Sequence, residues 1–175
     1  MALADSIGKK VCGVVINCSN TENLNSYGAD KIININSSDL VDFSSKKYAH
    51  ALVEIVKSEN SNIIILSSSP NSKYLGAHLS GITDSSFVSN VVKLPESSNP
   101  FIVKRTCFTN KAFSLTELTS DLKIISITSN SFGIVEKPNN PENETVEIKG
   151  ISTNQKILDI EKESGTVTIA DAEIV

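Results

Sequence analysis

Along the first half of the chain, short apolar runs alternate with longer segments whose apolar residues recur at helical spacing. VCGVVIN (11–17) is an unbroken run, the mark of a strand covered on both faces, which has no polar side to show. KIININ (31–36) reads as a second strand and NIIILS (62–67) as a third buried one. Between and around them lie helices. MALADSIGKK ends one: Leu3 and Ile7 are four apart, and Gly8 is a natural stop beside Lys9 and Lys10. TENLNSYG (21–28) is a short helix closed by Gly28. SSKKYAHALVEIVKSEN (44–60) is the clearest, with Tyr48, Leu52, Ile55 and Val56 on one stripe. SKYLGAHLSGI (72–82) is another. Alternating buried strands and helices predict an α/β fold with a parallel sheet, and right-handed crossovers place helices on both faces.

The character changes after residue 85. FVSNVVKL (87–94), FIVKRTCF (101–108), AFSLTEL (112–118) and LKIISITS (122–129) are strand-like with short breaks, so hairpins and meanders are expected to follow the α/β part. EKPNNPENE (136–144) is a polar loop with two prolines. TVEIKG (145–150) and KILDIEKE (156–163) are expected edge strands, the first solvated and guarded by its charges.

The 175 residues suffice for one ordinary domain. A net charge of −4, with scattered Lys and Arg, argues against nucleic acid, which favours a basic stripe. No apolar run approaches the roughly 20 residues of a membrane span, and the start lacks a signal-peptide pattern. Cys12, Cys18 and Cys107 are odd in number and far from metal-ligand spacing. A reducing cytoplasm with all three as small apolar fillers is the simplest setting. The glycosylation sequons at Asn17, Asn36 and Asn143 are chance matches in an Asn- and Ser-rich chain.

Candidate chemistry is sparse. The eight glycines are dispersed, with neither GxGxxG nor GxxxxGK[ST], so the usual phosphate cradle is missing. His50, beside the YAHAL stripe, is expected as a half-buried packing residue, and His78 as an exposed helix residue. Neither has a carboxylate or Cys at a metal-ligand interval. SSSPNS (67–72) follows the third strand, where doubly wound folds bind ligands. Its Ser and Asn side chains either cradle a phosphate or simply cap the next helix. In RTCFTNKAF (105–113), Arg105 is either an anion clamp or part of a plain hairpin. The hairpin reading bends at Thr109 and Asn110 and packs Phe108 and Phe113. No Ser–His–acid or Cys–His arrangement suggests a hydrolase.

Taken in order, SIGKKVCGVVI, YGADKIININ, KYAHALVEIVKSENSNIIILSSSPNSKYLGAHLSG, SNVVKL, FIVKRTCFTNKAFSLTEL, KIISITSNSFGIVE and TIADAEIV resemble the amino-terminal domain of the electron transfer flavoprotein alpha subunit. The resemblance implies a Rossmann-like, adenine nucleotide alpha hydrolase-like fold, mostly parallel and flanked by helices, with antiparallel strands or hairpins after it. It divides the chain into that domain over 1–170 and the start of a link into an FAD-binding domain over 171–175. In the family, a stretch similar to DAEIV leads into a glycine-rich SGGRG segment. The family also has one more strand near the middle of the sheet, ahead of the segment MALADSIG resembles, so a gap is expected there.

The same resemblance implies an electron carrier, not an enzyme: an alpha–beta heterodimer with one FAD. It passes electrons from flavin dehydrogenases, such as the acyl-CoA dehydrogenases of fatty acid beta-oxidation, to a quinone reductase or other acceptor. FAD is held mainly by the second alpha domain, so no catalytic, metal or flavin-binding residue is carried onto this chain, whose role is scaffold and heterodimerisation. The implied setting is cytoplasmic, or the mitochondrial matrix in a eukaryote. Near the hairpin the family pattern is roughly R-x-x-Y-A-G-N-A. Here Arg105 and Ala112 survive, Phe108 replaces tyrosine, and Asn110 and Lys111 replace Gly-Asn. The area where the family often shows Leu-x-Pro-Arg holds Ser72, Leu75, Gly76, Ala77 and His78, and Thr128 stands where the family has arginine. No anion contact is carried over to these places. A different class remains open: a stand-alone adenine-nucleotide-binding module on the same layered fold.

Overall fold

The computed structural model describes residues 2–155 and 157–161. Helix α1 (Ala2–Ile7) leads into strand β1 (Cys12–Ile16). Its end is set by Gly8 at φ +64°, where the chain turns left-handed and the Lys9 N–H reaches the Ala4 carbonyl at 2.9 Å. A short 3-10 turn (Glu22–Ser26) precedes β2 (Lys31–Asn36). Then come α2 (Ser45–Ser58), β3 (Ile63–Ser67), α3 (Pro70–Thr83) and β4 (Ser86–Lys93). The chain continues through β5 (Ile102–Cys107), β6 (Ala112–Glu117), β7 (Lys123–Ile127) and β8 (Glu142–Glu147).

The strands form two sheets. One has the order β1-β2-β8 and is wholly parallel. The other has the order β3-β7-β4-β5-β6, parallel across β3, β7 and β4 and antiparallel across β4, β5 and β6. The α/β class with helix-flanked parallel strands and a trailing hairpin is therefore as expected. The strands are split between two sheets, and β1 and β3 do not pair with one another.

Three expectations change: the place of LKIISITS, the extent of the 136–144 loop, and the edge strand expected in KILDIEKE. LKIISITS is not part of a meander. As β7 it lies between β3 and β4, parallel to both. Its uninterrupted KIISI run fits that central place: Ile124 and Ile125 point to opposite faces and both are fully buried, as is Ser126 between the sheet and the Ser68 hydroxyl at 3.2 Å. The loop expected over 136–144 ends early, because β8 begins at Glu142 and pairs with β2 from Lys31 to Asn36. Its charged edge is as anticipated. Residues 157–161 carry no strand. Lys156 and residues 162–175, including TIADAEIV, lie outside the described residues.

Three apolar clusters hold the layers. Leu3 of α1 packs with Val88, Val91, Val103 and Ile125 on one face of the larger sheet. On the other face, Leu75 and Leu79 of α3 meet Ile124 and Ala49 of α2. In the smaller sheet Ile33 and Ile35 pack against Ala51 and Ile55 of α2. Tyr48 and Leu52 border both α2 clusters, so one helix stripe serves two sheets. Each fully buried Ile or Leu is worth about 1.5–3 kcal/mol, which makes α2 the tie between the sheets.

Helix α3 approaches the larger sheet closely at Gly76. A methyl group there would fall within the Phe87 ring. Alanine favours a helix by about 1 kcal/mol over glycine, yet overpacking costs about 1–3 kcal/mol. Gly76→Ala is therefore expected to destabilise the fold by about 0–2 kcal/mol net, read by urea unfolding. Adding Phe87→Leu should recover most of the loss. A Gly76→Ala variant more stable than the native chain would refute the close approach.

Candidate functional site

The gap between the sheets is a cleft open on both sides. Toward α1 it forms a cavity of about 750 Å³, bordered by Leu3, Ala4 and Ile7. Toward α2 and α3 it forms one of about 480 Å³, bordered by Tyr48, Leu52, Ile55 and Leu75. Cys12, Glu59, Ser61, Ile63 and Ile65 line both, so the two cavities meet between β1 and β3. This open side explains why β1 is half-buried at every position although its sequence reads as fully covered.

Charge gathers at the amino end of the cleft. Lys31 Nζ lies 2.7 Å from both Glu59 Oε1, at the close of α2, and Glu144 Oε2 on β8. Hydrogen bonds to Glu144 and Glu59 push the Lys31 ammonium well above the usual lysine range. Burial pushes the neighbouring Cys12 thiol up, helped by the Glu59 charge, which favours the protonated thiol. Cys18 and Cys107 are likewise free and half-buried, as expected of fillers. Among the described residues no group of His, Cys, Asp and Glu could hold a metal.

At the carboxyl end, SSSPNS caps α3. Ser69 Oγ accepts from the Ser72 N–H at 3.2 Å, and the Ser67, Ser69 and Ser72 hydroxyls bond one another. Pro70 opens the helix and has no N–H to offer. A dinucleotide pyrophosphate needs several converging N–H donors. Here proline removes one and Ser69 consumes another, so this helix terminus has few donors left to offer a pyrophosphate. The histidines are exchanged relative to expectation. His50 is exposed on α2, and His78 is half-buried on α3 with its Nδ1 enclosed and unpartnered. The YAHAL stripe turns Ala49 and Ala51 inward and leaves His50 between them facing out.

The hairpin departs from expectation in another way. Residues Phe108, Thr109 and Asn110 all take positive φ, and the Lys111 N–H closes the bend on the Cys107 carbonyl. Phe108 and Phe113 are not packed; they are 80% and 61% exposed, and Leu115 is 74% exposed. In the β5–β6 register Phe113 faces Thr106 and Leu115 faces Lys104. Directly opposed residues share a face, and this one is turned away from buried Val103. The Lys104 ammonium lies 4.1 Å over the Phe113 ring and is held on this apolar face by that contact. Arg105 points to the Val103 side, where its Nε is enclosed without a partner; Thr128 Oγ is likewise enclosed. The structure does not join Arg105, His50 and His78 into one site. Alternation in AFSLTEL was the signal for an open face; two aromatics in a hairpin concealed it.

The layered sheet, split beside β1, and the trailing hairpin now stand beside one comparison. A family model for the electron transfer flavoprotein domain matches residues 1–155. The chain belongs to that family. No curated protein matches it. Members of the electron transfer flavoprotein domain family are electron carriers rather than enzymes. No described helix is long and apolar enough to cross a membrane.

The Lys31 hub gives a pH signature. Its raised pKa means the folded state holds the proton more tightly than the unfolded state. The resulting stability is fully present below the ordinary lysine value of 10.5 and is lost as pH rises above it toward the folded value. The stability difference between the native chain and Lys31→Met should therefore be constant from pH 7 to about 10 and shrink at higher pH. Urea unfolding of both proteins across this range tests it; a difference that grows above that pH contradicts the hub.

Proposed function

We propose that this chain is the amino-terminal scaffold domain of an electron transfer flavoprotein alpha subunit. In the intact protein it holds a beta subunit and supports a separate FAD-binding domain. The assembly carries electrons from flavin dehydrogenases, such as acyl-CoA dehydrogenases, to a quinone reductase or comparable acceptor. The flavin performs the redox step when bound; these residues contribute placement. The reading places it in the cytoplasm, or the mitochondrial matrix of a eukaryote.

The observation that carries this reading is the uncovered apolar face of the β5–β6 hairpin. Ile102, Phe113 and Leu115 are exposed together on an edge of the sheet, with Phe108 at the bend. Contiguous exposed apolar surface on a small domain marks a protein-binding face, and aromatic anchors dominate such interfaces. In a family whose domains work in complexes, a second subunit is the fitting cover.

Co-expression with an electron transfer flavoprotein beta subunit, followed by size-exclusion chromatography, tests the proposal. A one-to-one complex is expected. Phe113→Ser and Leu115→Asp should weaken it at least about tenfold while shifting the stability of the free chain by only about 0.5 kcal/mol. A complex indifferent to both substitutions would remove the hairpin from the interface. The free chain should also purify without flavin. Tightly held stoichiometric FAD would overturn the scaffold role, and micromolar binding of AMP in a titration would favour a nucleotide-binding module instead.

A further inference from the structure

Among the described residues β6 is the outer strand of the larger sheet, with β5 on its inner side. The Leu118 N–H bonds the Phe101 carbonyl. In an antiparallel ladder every second residue bonds the same neighbour, so Ala112, Ser114 and Thr116 spend their backbone groups on β5. Those of Phe113, Leu115 and Glu117 turn outward. The register is unbroken from the Ile102–Glu117 pair to the Cys107–Ala112 pair, so no bulge twists this edge away. Natural edges are guarded by charge, proline or bulges. β8, an edge of the smaller sheet, follows that rule with Glu142, Glu144 and Glu147. β6 does not. It has neither proline nor charge from Ala112 to Thr116, and its charges stand at the ends, on Lys111 just before it and on Glu117.

We propose that the β6 edge pairs antiparallel with the β6 edge of a second copy of this chain, about a two-fold axis that sets Ser114 opposite Ser114 of the copy. Two-fold symmetry makes the register a single choice, because every contact occurs twice. Outward backbone groups must meet outward groups, so odd-numbered residues face odd-numbered ones. Three centres satisfy this. Centring on Phe113 places Lys111 opposite Leu115 of the copy. Centring on Leu115 places Phe113 opposite Glu117 of the copy. Centring on Ser114 places Phe113 opposite Leu115 of the copy and Lys111 opposite Glu117 of the copy. Of the three, the Ser114 centre matches apolar with apolar and cation with anion. Each Phe113–Leu115 pair then exchanges two main-chain hydrogen bonds. Opposed residues share a face, so the exposed Phe113 and Leu115 side chains of the two copies cover one another.

The result is one sheet running continuously through both copies, from β3 of one to β3 of the other. This goes beyond the heterodimer reading, since it concerns the chain in the absence of a beta subunit. Phe113 and Leu115 serve both assemblies, so the two exclude one another on a given chain. Each is read separately: the self-pair on the chain alone, the heterodimer on the co-expressed pair.

Sedimentation equilibrium of the full 175-residue chain, with no beta subunit present, tests the pairing. A reversible dimer is expected as concentration rises. Lys111→Glu and Glu117→Lys change exposed side chains. Each should weaken the dimer at least about tenfold, because symmetry repeats the like-charge contact. The double variant Lys111→Glu/Glu117→Lys exchanges the charges and should restore the dimer. An equimolar mixture of the two single variants should form a mixed dimer more tightly than either forms its own. Hydrogen exchange reads the ladder itself: the Phe113 and Leu115 amides should gain protection with concentration, while that of Ser114, already bonded to β5, should not change. A chain that stays monomeric at millimolar concentration overturns the proposal. So does a dimer indifferent to both single variants, or a double variant as weak as the singles.

Discussion

One helix stripe holds the molecule together. Among the described residues the two sheets share no backbone hydrogen bonds across the gap, and α2 spans the break by sending Ala51 and Ile55 to one sheet and Ala49 to the other. Tyr48 and Leu52 sit over the seam between them. The relative placement of the β1 and β3 edges, the width of the cleft and the position of the Lys31 hub all follow from how that stripe packs. The Tyr48 hydroxyl also donates to the Leu40 carbonyl at 3.2 Å, fixing the turn that feeds the helix. Burial among these residues pushes the Tyr48 phenol up, with the Asp42 charge adding to it.

Much of the fold was legible because its signals are local. The β1, β2 and β3 runs, the amphipathic α2, and the stop at Gly8 each depend on side-chain period or on backbone freedom at one residue. The placement of β7 was not. KIISI has the same appearance in a meander as in the centre of a parallel sheet, and only pairing with residues some 60 and 35 positions earlier distinguishes them. Such long-range choices are set by which edges remain free after nearer strands have formed.

The site was less legible than the fold. Phe108 and Phe113 are apolar, and composition sends apolar residues inward; only the β5–β6 register shows that Phe113 shares its face with Lys104 rather than Val103. His50 and His78 failed for a related reason. Both lie on amphipathic helices close to the boundary of the apolar stripe, where one residue of rotation, about 100°, exchanges inside for outside. Of the two readings of the Ser-rich turn, the structure shows the cap, with Ser69 accepting one amino-terminal N–H of α3 and Pro70 needing no partner.

The central position of β7 also fixes an order of events at the ribosome. β3 and β4 flank it but do not pair with one another. The middle of the larger sheet therefore stays open until Ile127 has emerged, long after both flanking strands and the hairpin have been synthesised. During that interval the nascent chain carries two bare parallel edges rich in isoleucine and valine, the kind of surface that recruits chaperones or other nascent chains.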